Sequence, residues 1–264
     1  MLIVHRVAKT FGTLANGAQP LKAVDDVSFE VRTGEFFSII GPSGCGKSTL
    51  LRIIGGLVPD FDGEVKIDGK PIQGPHPWVG MVFQEESTFP WRTALANVAF
   101  GLEMRGVAPE KRRRQALEMI ELVGLQGFEE RYPSELSGGM RQRVAIARAL
   151  VMEPKILLMD EPFGALDEQT RIILGEELLK IKEKLRQTII FVTHNINESV
   201  QLSDRVMVMT ARPGRVKGIF DIDLPHPRDA AIIGSERFGR LVGQVWGTLR
   251  QESIKGFKQM ESRA

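Results

Sequence analysis

The spacing of apolar residues changes several times along the chain, and each change predicts an element. Residues 2–4 read as a short strand. Val27, Phe29 and Val31 alternate with polar neighbours, the period of a half-buried antiparallel strand. Residues 36–40 are apolar almost without a break, which suits a central strand covered on both faces. Thr33-Gly34 between these two runs predicts a hairpin-like pair. After a glycine-rich turn, residues 50–54 predict a helix that stops at Gly55-Gly56. Short strands follow over 63–67, with a tight turn at Asp68-Gly69, and over 79–83, which delivers Gln84.

From Thr93 to Leu125 the pattern is helical, with Ala116, Met119, Ile120 and Val123 at three- and four-residue spacing. This stretch reads as a helical lobe inserted into the core at about 93–152. A helix over 141–151 ends before Pro154, and the apolar run 156–161 ends in two carboxylates. A helix to about 185 and an apolar strand over 188–193 come next, with His194 just beyond. Strands alternating with helices predict an α/β fold with a mostly parallel, right-handed sheet, preceded by an antiparallel β subdomain. After strands at 205–209 and 216–224, the last helix places Phe238, Leu241, Val242, Val245, Trp246 and Leu249 on one face, as if to pack on the core.

The glycine-rich turn is Gly41-Pro42-Ser43-Gly44-Cys45-Gly46-Lys47-Ser48-Thr49. It fits the phosphate-binding pattern G-x-x-x-x-G-K-[ST] between a strand and a helix, the context that pattern requires. Glycines allow a tight turn whose backbone N–H groups point at phosphate oxygens, and the helix start adds its dipole. Lys47 is placed to reach the β- and γ-phosphates, and the Ser48 hydroxyl to ligate Mg²⁺. At about 7% glycine usage the pattern arises by accident in roughly one chain in a hundred of this length. With both flanking elements present, the chain is expected to bind a nucleoside triphosphate.

Bulk composition narrows the partners. Of 264 residues, 42% are hydrophobic and 26% charged, as in an ordinary globular protein. A net charge of +2 is too small to make nucleic acid the expected partner. The basic run Lys111-Arg112-Arg113-Arg114 has no interleaved aromatics and reads as a solvated helix face. The single cysteine, Cys45, excludes an internal disulfide framework and lies inside the phosphate loop. Its bland role is that of a small filler; alkylation there is expected to obstruct nucleotide, and ATP to protect it. No run approaches the 18 apolar residues needed to span a bilayer, so any membrane span is expected from another subunit.

Four further features sit at strand ends, where open α/β sheets place ligands. Asp160 has the position of a carboxylate that holds Mg²⁺, and Glu161 that of a base for the attacking water. Simple loop charges are the alternative, but two carboxylates beside an apolar strand are costly without a cation. Gln84 could contact metal and water through its amide, although a glutamine after a strand is more often surface. His194 is placed to hydrogen-bond the γ-phosphate; His5, His76 and His226 read as structural. Ser137-Gly138-Gly139 opens a second helix with a hydroxyl and free N–H groups, a second anion site. Two such sites in one chain make sense if the second serves a nucleotide held by another copy.

Together these motifs resemble the ATP-binding subunits of ABC transporters, over about residues 1–220 and in the family's order. The phosphate loop, the Leu136–Met140 signature, the strand ending in Asp160 and Glu161, the Ala165-Leu166-Asp167 loop and His194 carry the resemblance. It implies an ATPase domain over 1–225 and a C-terminal amphipathic extension over 226–264. It also implies ATP and Mg²⁺ as cofactors and a head-to-tail dimer, each ATP lying between one phosphate loop and the partner's signature. Phe11 is implied as the aromatic that stacks on adenine, where tyrosine is more usual. Met140 stands where many members have glutamine, beside the phosphate donors; Asp167 is implied as catalytic with Glu161, His194 and Gln84.

The run from Val82 through Glu85 and Glu86 to Phe89-Pro90-Trp91, then Asn97 to Leu102, is similar to the nitrate/sulfonate/taurine importer branch. So are Arg212-Pro213-Gly214-Arg215 and Asp223-Leu224-Pro225. That similarity implies a peripheral subunit on the cytoplasmic face of the inner membrane. Its partners would be a second ATP-binding subunit, integral permease subunits and, indirectly, an extracytoplasmic solute-binding protein, with no nucleic acid. Phe89 and Trp91 would lie near the groove that takes a permease helix, with core packing as the alternative. An exporter, a lipid transporter or a soluble repair or translation ATPase would keep the same catalytic set.

Overall fold

The computed structural model describes residues 1–12, 20–84 and 87–261. Glu85 and Glu86, part of the importer-like run, lie outside the described residues. The chain forms two units, one of residues 1–76 with 188–264 and one of residues 77–187. The first unit starts with strands β1 (Leu2–Phe11), β2 (Leu21–Val31) and β3 (Phe36–Ile40), helix α1 (Lys47–Ile54), and strands β4 (Asp62–Ile67) and β5 (Lys70–Pro71). The second unit holds β6 (Val79–Val82), α2 (Ala94–Met104), α3 (Pro109–Leu122), α4 (Gly138–Leu150), β7 (Ile156–Asp160) and α5 (Glu168–Leu185). The chain then returns to the first unit with β8 (Thr188–Val192), α6 (Ile196–Leu202), β9 (Arg205–Met209), β10 (Val216–Asp221) and α7 (Glu236–Glu261).

In the first unit an antiparallel sheet runs β2-β1-β4-β5. Its centre is β1, with Leu2 opposite Val31 and Phe11 opposite Leu21. β3 pairs in parallel with β8 on one side and β9 on the other, and β10 closes antiparallel on β9. The expected hairpin of residues 26–32 with 35–40 is therefore not formed, because its two strands join different sheets. The physical reason lies in their patterns. β2 alternates and needs one wet face, whereas all five residues of β3 are buried and need parallel neighbours. Gly34, at φ +77°, turns the chain from one sheet to the other.

α7 belongs to the core of the first unit. Phe238, Leu241, Val245 and Leu249 pack with Ile40, Val206 and Val208 of the parallel strands. At roughly 1.5–3 kcal/mol per buried side chain, these four contribute on the order of 6–12 kcal/mol gross, comparable with a whole domain's net stability. Trp246 departs from the expected apolar face: it is 49% exposed. In the second unit, β6 and β7 pair in parallel, Val79 opposite Ile156. The stretch with the helical pattern at 93–125 holds two helices, α2 and α3. Gly106, at φ +69°, ends the first turn-out and Pro109 opens α3 at a first-turn position where its missing N–H costs nothing. Among the described residues, no helix is long and apolar enough to cross a membrane.

Candidate nucleotide-binding site

The phosphate loop is formed in the first unit as a nest between β3 and α1. Gly44 and Gly46 take φ values of +71° and +108°, which other residues reach only with strain, and Gly46 is the N-cap of α1. A Cβ on Gly46 would stand 2.7 Å from the Ala23 carbonyl oxygen, so the loop lies directly against β2. Lys47 is buried and donates from Nζ to the carbonyls of Gly41 (2.9 Å) and Pro42 (3.1 Å). Those bonds hold its ammonium against the backbone of the loop itself. Ser48 and Thr49 follow in the first turn of the helix. Ser43 and Gly44 are exposed.

Cys45 is 1% exposed and its thiol is pushed up by burial. A Cβ on Gly41 would meet its sulfur at 2.8 Å. The thiol thus fills the underside of the loop and is shielded from reagents in the folded chain. Alkylation as a probe of the nucleotide site therefore needs the loop to open first.

Phe11 ends β1 with its ring 41% exposed and Lys9 Nζ 5.3 Å from the ring centre. Its strand partner, Leu21, is two residues from Ala23, the residue against which Gly46 packs. The aromatic ring thus ends β1, beside the start of the β2 strand that walls the phosphate loop.

His194 is exposed one residue past Thr193, at the end of β8, and precedes the N-cap of α6. Three residues that sequence reasoning missed hold this turn. Asn195 Oδ1 accepts from the Glu198 N–H at 3.1 Å. Thr193 Oγ1 accepts from the Asn195 N–H at 3.0 Å and donates to the buried Glu198 carboxylate. The signal was present: Asn195-x-x-Glu198 is the spacing of a capping box.

In the second unit β7 is buried throughout and Asp160, its last residue, is 2% exposed. A carboxylate so placed needs cationic or hydrogen-bonding company, and its hard oxygens suit Mg²⁺. Glu161 sits at φ 45°, a left-handed conformation that costs a non-glycine residue of order 1 kcal/mol and is concentrated at functional sites. Gly164 holds that turn by donating its N–H to the Glu161 carbonyl at 3.1 Å. Gln84 is exposed two residues beyond β6.

Ser137 caps α4: its Oγ accepts from the Met140 N–H at 3.3 Å. Gly138 and Gly139 form the first turn. A Cβ on Gly139 would lie 3.3 Å from the Thr170 methyl, so the small residue admits α5 close to the start of α4. Thr170 also donates its N–H (2.9 Å) and hydroxyl (2.7 Å) to Asp167, the N-cap of α5. Those donors, led by the backbone N–H, hold the Asp167 carboxyl below its ordinary range. The signature and the Asp167 loop are therefore brought together, with Asp167 acting locally as a cap.

Asn97 was not singled out chemically by its sequence context, yet it is fully buried and ties down the preceding loop. It accepts from the Phe89 N–H at 2.7 Å and donates to the carbonyls of Phe89, Arg92 and Thr93 at 3.0–3.1 Å. Arg148 adds bonds to Ser87. The loop so fixed displays Trp91, which is 71% exposed, while Phe89 packs on Phe100 at 4.7 Å. Core packing accounts for Phe89 in part; Trp91 meets the Phe89 ring at 5.6 Å between centres and leaves most of its surface exposed.

Residues 24–164 match the family model described as ABC transporter. An uncharacterised ABC transporter ATP-binding protein of Methanocaldococcus jannaschii is 52% identical over 238 residues, 90% of this chain and 88% of the relative. An aliphatic sulfonates import ATP-binding protein of Bacillus cereus is 47% identical over 256 residues, 95% of this chain and 98% of the relative. A solved dimeric ATP-binding cassette in a post-hydrolysis state, bound to ADP and Pi, superposes with a TM-score of 0.74 at 35% identity. That match covers 85% of this chain and 100% of the cassette. With a formed phosphate loop and relatives alike over most of their length, this chain belongs to the ABC transporter family, as one of its ATP-binding, ATP-hydrolysing subunits.

Proposed function

We propose that the chain is the ATPase subunit of a membrane importer for a small sulfonate-, nitrate- or taurine-like solute. The observation that carries the transport reading is the near full-length likeness to sulfonate-import ATP-binding proteins. Phe11 would stack on adenine, and residues 41–49 would hold the triphosphate. Ser48, Gln84 and Asp160 would hold Mg²⁺, which when bound neutralises charge between the β- and γ-phosphates. Glu161 would take a proton from water as its oxygen attacks the γ-phosphorus and the bridging oxygen leaves with ADP. His194 would donate to the γ-phosphate, and Asp167 would support that geometry.

Ser137, Gly138 and Gly139 would face the γ-phosphate of an ATP held by a second copy. Support comes from the helix start they form, with Ser137 exposed, and from the dimeric form of the similar cassette. ATP then draws two copies together, and hydrolysis removes the group both hold. Permease subunits respond only if they dock differently on the two states. The loop that carries Phe89 and the exposed Trp91, whose rings meet at 5.6 Å, is the surface proposed for that docking. A solute-binding protein would act on the far side of the membrane.

Affinity purification of the tagged chain from detergent-solubilised membranes of its host, with recovered subunits identified by mass, tests this. Co-purification of a multi-span permease, with a solute-binding protein retained on crosslinking, is expected. Recovery of an exporter-type membrane domain, or of soluble partners alone, would leave the ATPase standing and overturn import.

A further inference from the structure

The far end of α7 reaches the phosphate loop. A Cβ on Gly256 would stand 3.1 Å from the Pro42 Cβ and 3.9 Å from that of Ala211. The helix has three other glycines, Gly239, Gly243 and Gly247, and a Cβ at any of them would meet nothing within 4 Å. Close approach thus calls for glycine at one of four positions, the one that touches the loop.

One turn earlier Glu252 is 2% exposed. Its carboxylate accepts from the Ala211 N–H (3.1 Å), Lys217 (3.1 Å) and Lys255 (3.0 Å). A buried carboxylate is costly unless so satisfied, and here it fixes the residue before Arg212. Arg212 in turn donates from Nε (2.9 Å) and Nη2 (2.7 Å) to the Gly44 carbonyl. Gly214 completes the strap: a Cβ there would lie 2.2 Å from the Cys45 oxygen, and its N–H and carbonyl bond to Ala23 and Asp25 at 2.9 Å. Cys45 meanwhile donates its N–H to the Pro42 carbonyl at 3.2 Å. The planar Gly44–Cys45 peptide is therefore held at both its oxygen and its N–H and cannot flip.

We propose that α7 positions the phosphate loop, so that nucleotide affinity is set through Gly256, Glu252 and Arg212. The proposal rests on residues 41–49 being the triphosphate site. Arg212 is a positioning residue: it acts on the loop's backbone. The apolar anchor of α7 lies in its first half, at Phe238 to Leu249, so its last turns can shift without releasing the helix. Any binding event that displaces residues 252–257 would then change ATP affinity from outside the site.

The test measures Kd for a non-hydrolysable ATP analogue with Mg²⁺ on the full chain, alongside Tm without nucleotide. Gly256→Ala is expected to raise Kd about three- to tenfold with Tm unchanged or higher, since alanine favours helix over glycine. Gly243→Ala should raise Tm and leave Kd unchanged. Arg212→Ala should raise Kd about tenfold, and Arg212→Lys should recover part of that, because one ammonium still reaches the Gly44 carbonyl. Unchanged or tighter Kd in both Gly256→Ala and Arg212→Ala, with Lys47→Ala losing binding, would overturn the role of α7 alone. Wild-type binding by Lys47→Ala would overturn the nucleotide site and the proposal with it.

Discussion

Lys47→Ala will weaken MgATP binding about a hundredfold or more. Charge-assisted hydrogen bonds to phosphate contribute roughly 1.5–3 kcal/mol each, and a lysine ammonium can make two or three. The free chain recovers part of that, because Nζ already bonds to the Gly41 and Pro42 carbonyls. The difference of about 3 kcal/mol or more corresponds to two decades or more in Kd. Folding should survive, since Leu50, Leu51, Ile53 and Ile54 still bury α1. Equilibrium titration with a fluorescent ATP analogue, with a thermal melt as control, measures both. A Kd within threefold of wild type at an unchanged Tm would contradict the assignment of Lys47.

Glu161→Gln is expected to lower the hydrolysis rate by about 10²–10⁴ while ATP still binds. Glutamine matches glutamate in shape and tolerates the φ of 45° about equally, so the turn held by Gly164 should persist. What it loses is the ability to accept a proton from water. Hydrolysis then stalls after the copies have closed, and gel filtration with MgATP should show a stable dimer that the wild-type chain forms only briefly. Asp160→Asn gives a contrast, because losing the carboxylate proposed to hold Mg²⁺ should make both steps depend more steeply on Mg²⁺. Wild-type turnover by Glu161→Gln would show that another group is the base.

How much was legible in the sequence depended on whether a residue's role is local. The nest at 41–49 and the cap at Ser137 are short-range devices, read directly from glycine spacing and a hydroxyl before a helix. Continuous burial of β3, β7 and β8 was visible as unbroken apolar runs. The missed hairpin shows the limit: Thr33-Gly34 is good turn chemistry, and only long-range pairing reveals that β3 turns away to β8 and β9. Asn97 and Glu198 looked like ordinary polar residues, because their partners are carbonyls and hydroxyls whose positions follow from folding. Arg212 and Glu252 act across about 168 and 41 residues of chain, a separation no local pattern encodes.

The central claim is that one ATP is shared between two copies of the chain. Mixing two inactive variants measures this. Lys47→Ala has a disabled phosphate loop and an intact signature; Ser137→Arg has the reverse. In a head-to-tail dimer the mixed pair contains one site built from two good halves. Random pairing should therefore restore about a quarter of the wild-type ATPase rate, since about half the dimers are mixed and each has one of two sites working. If each variant alone is inactive and the mixture stays inactive as well, with mixed dimers shown to form, the site is not shared in this way.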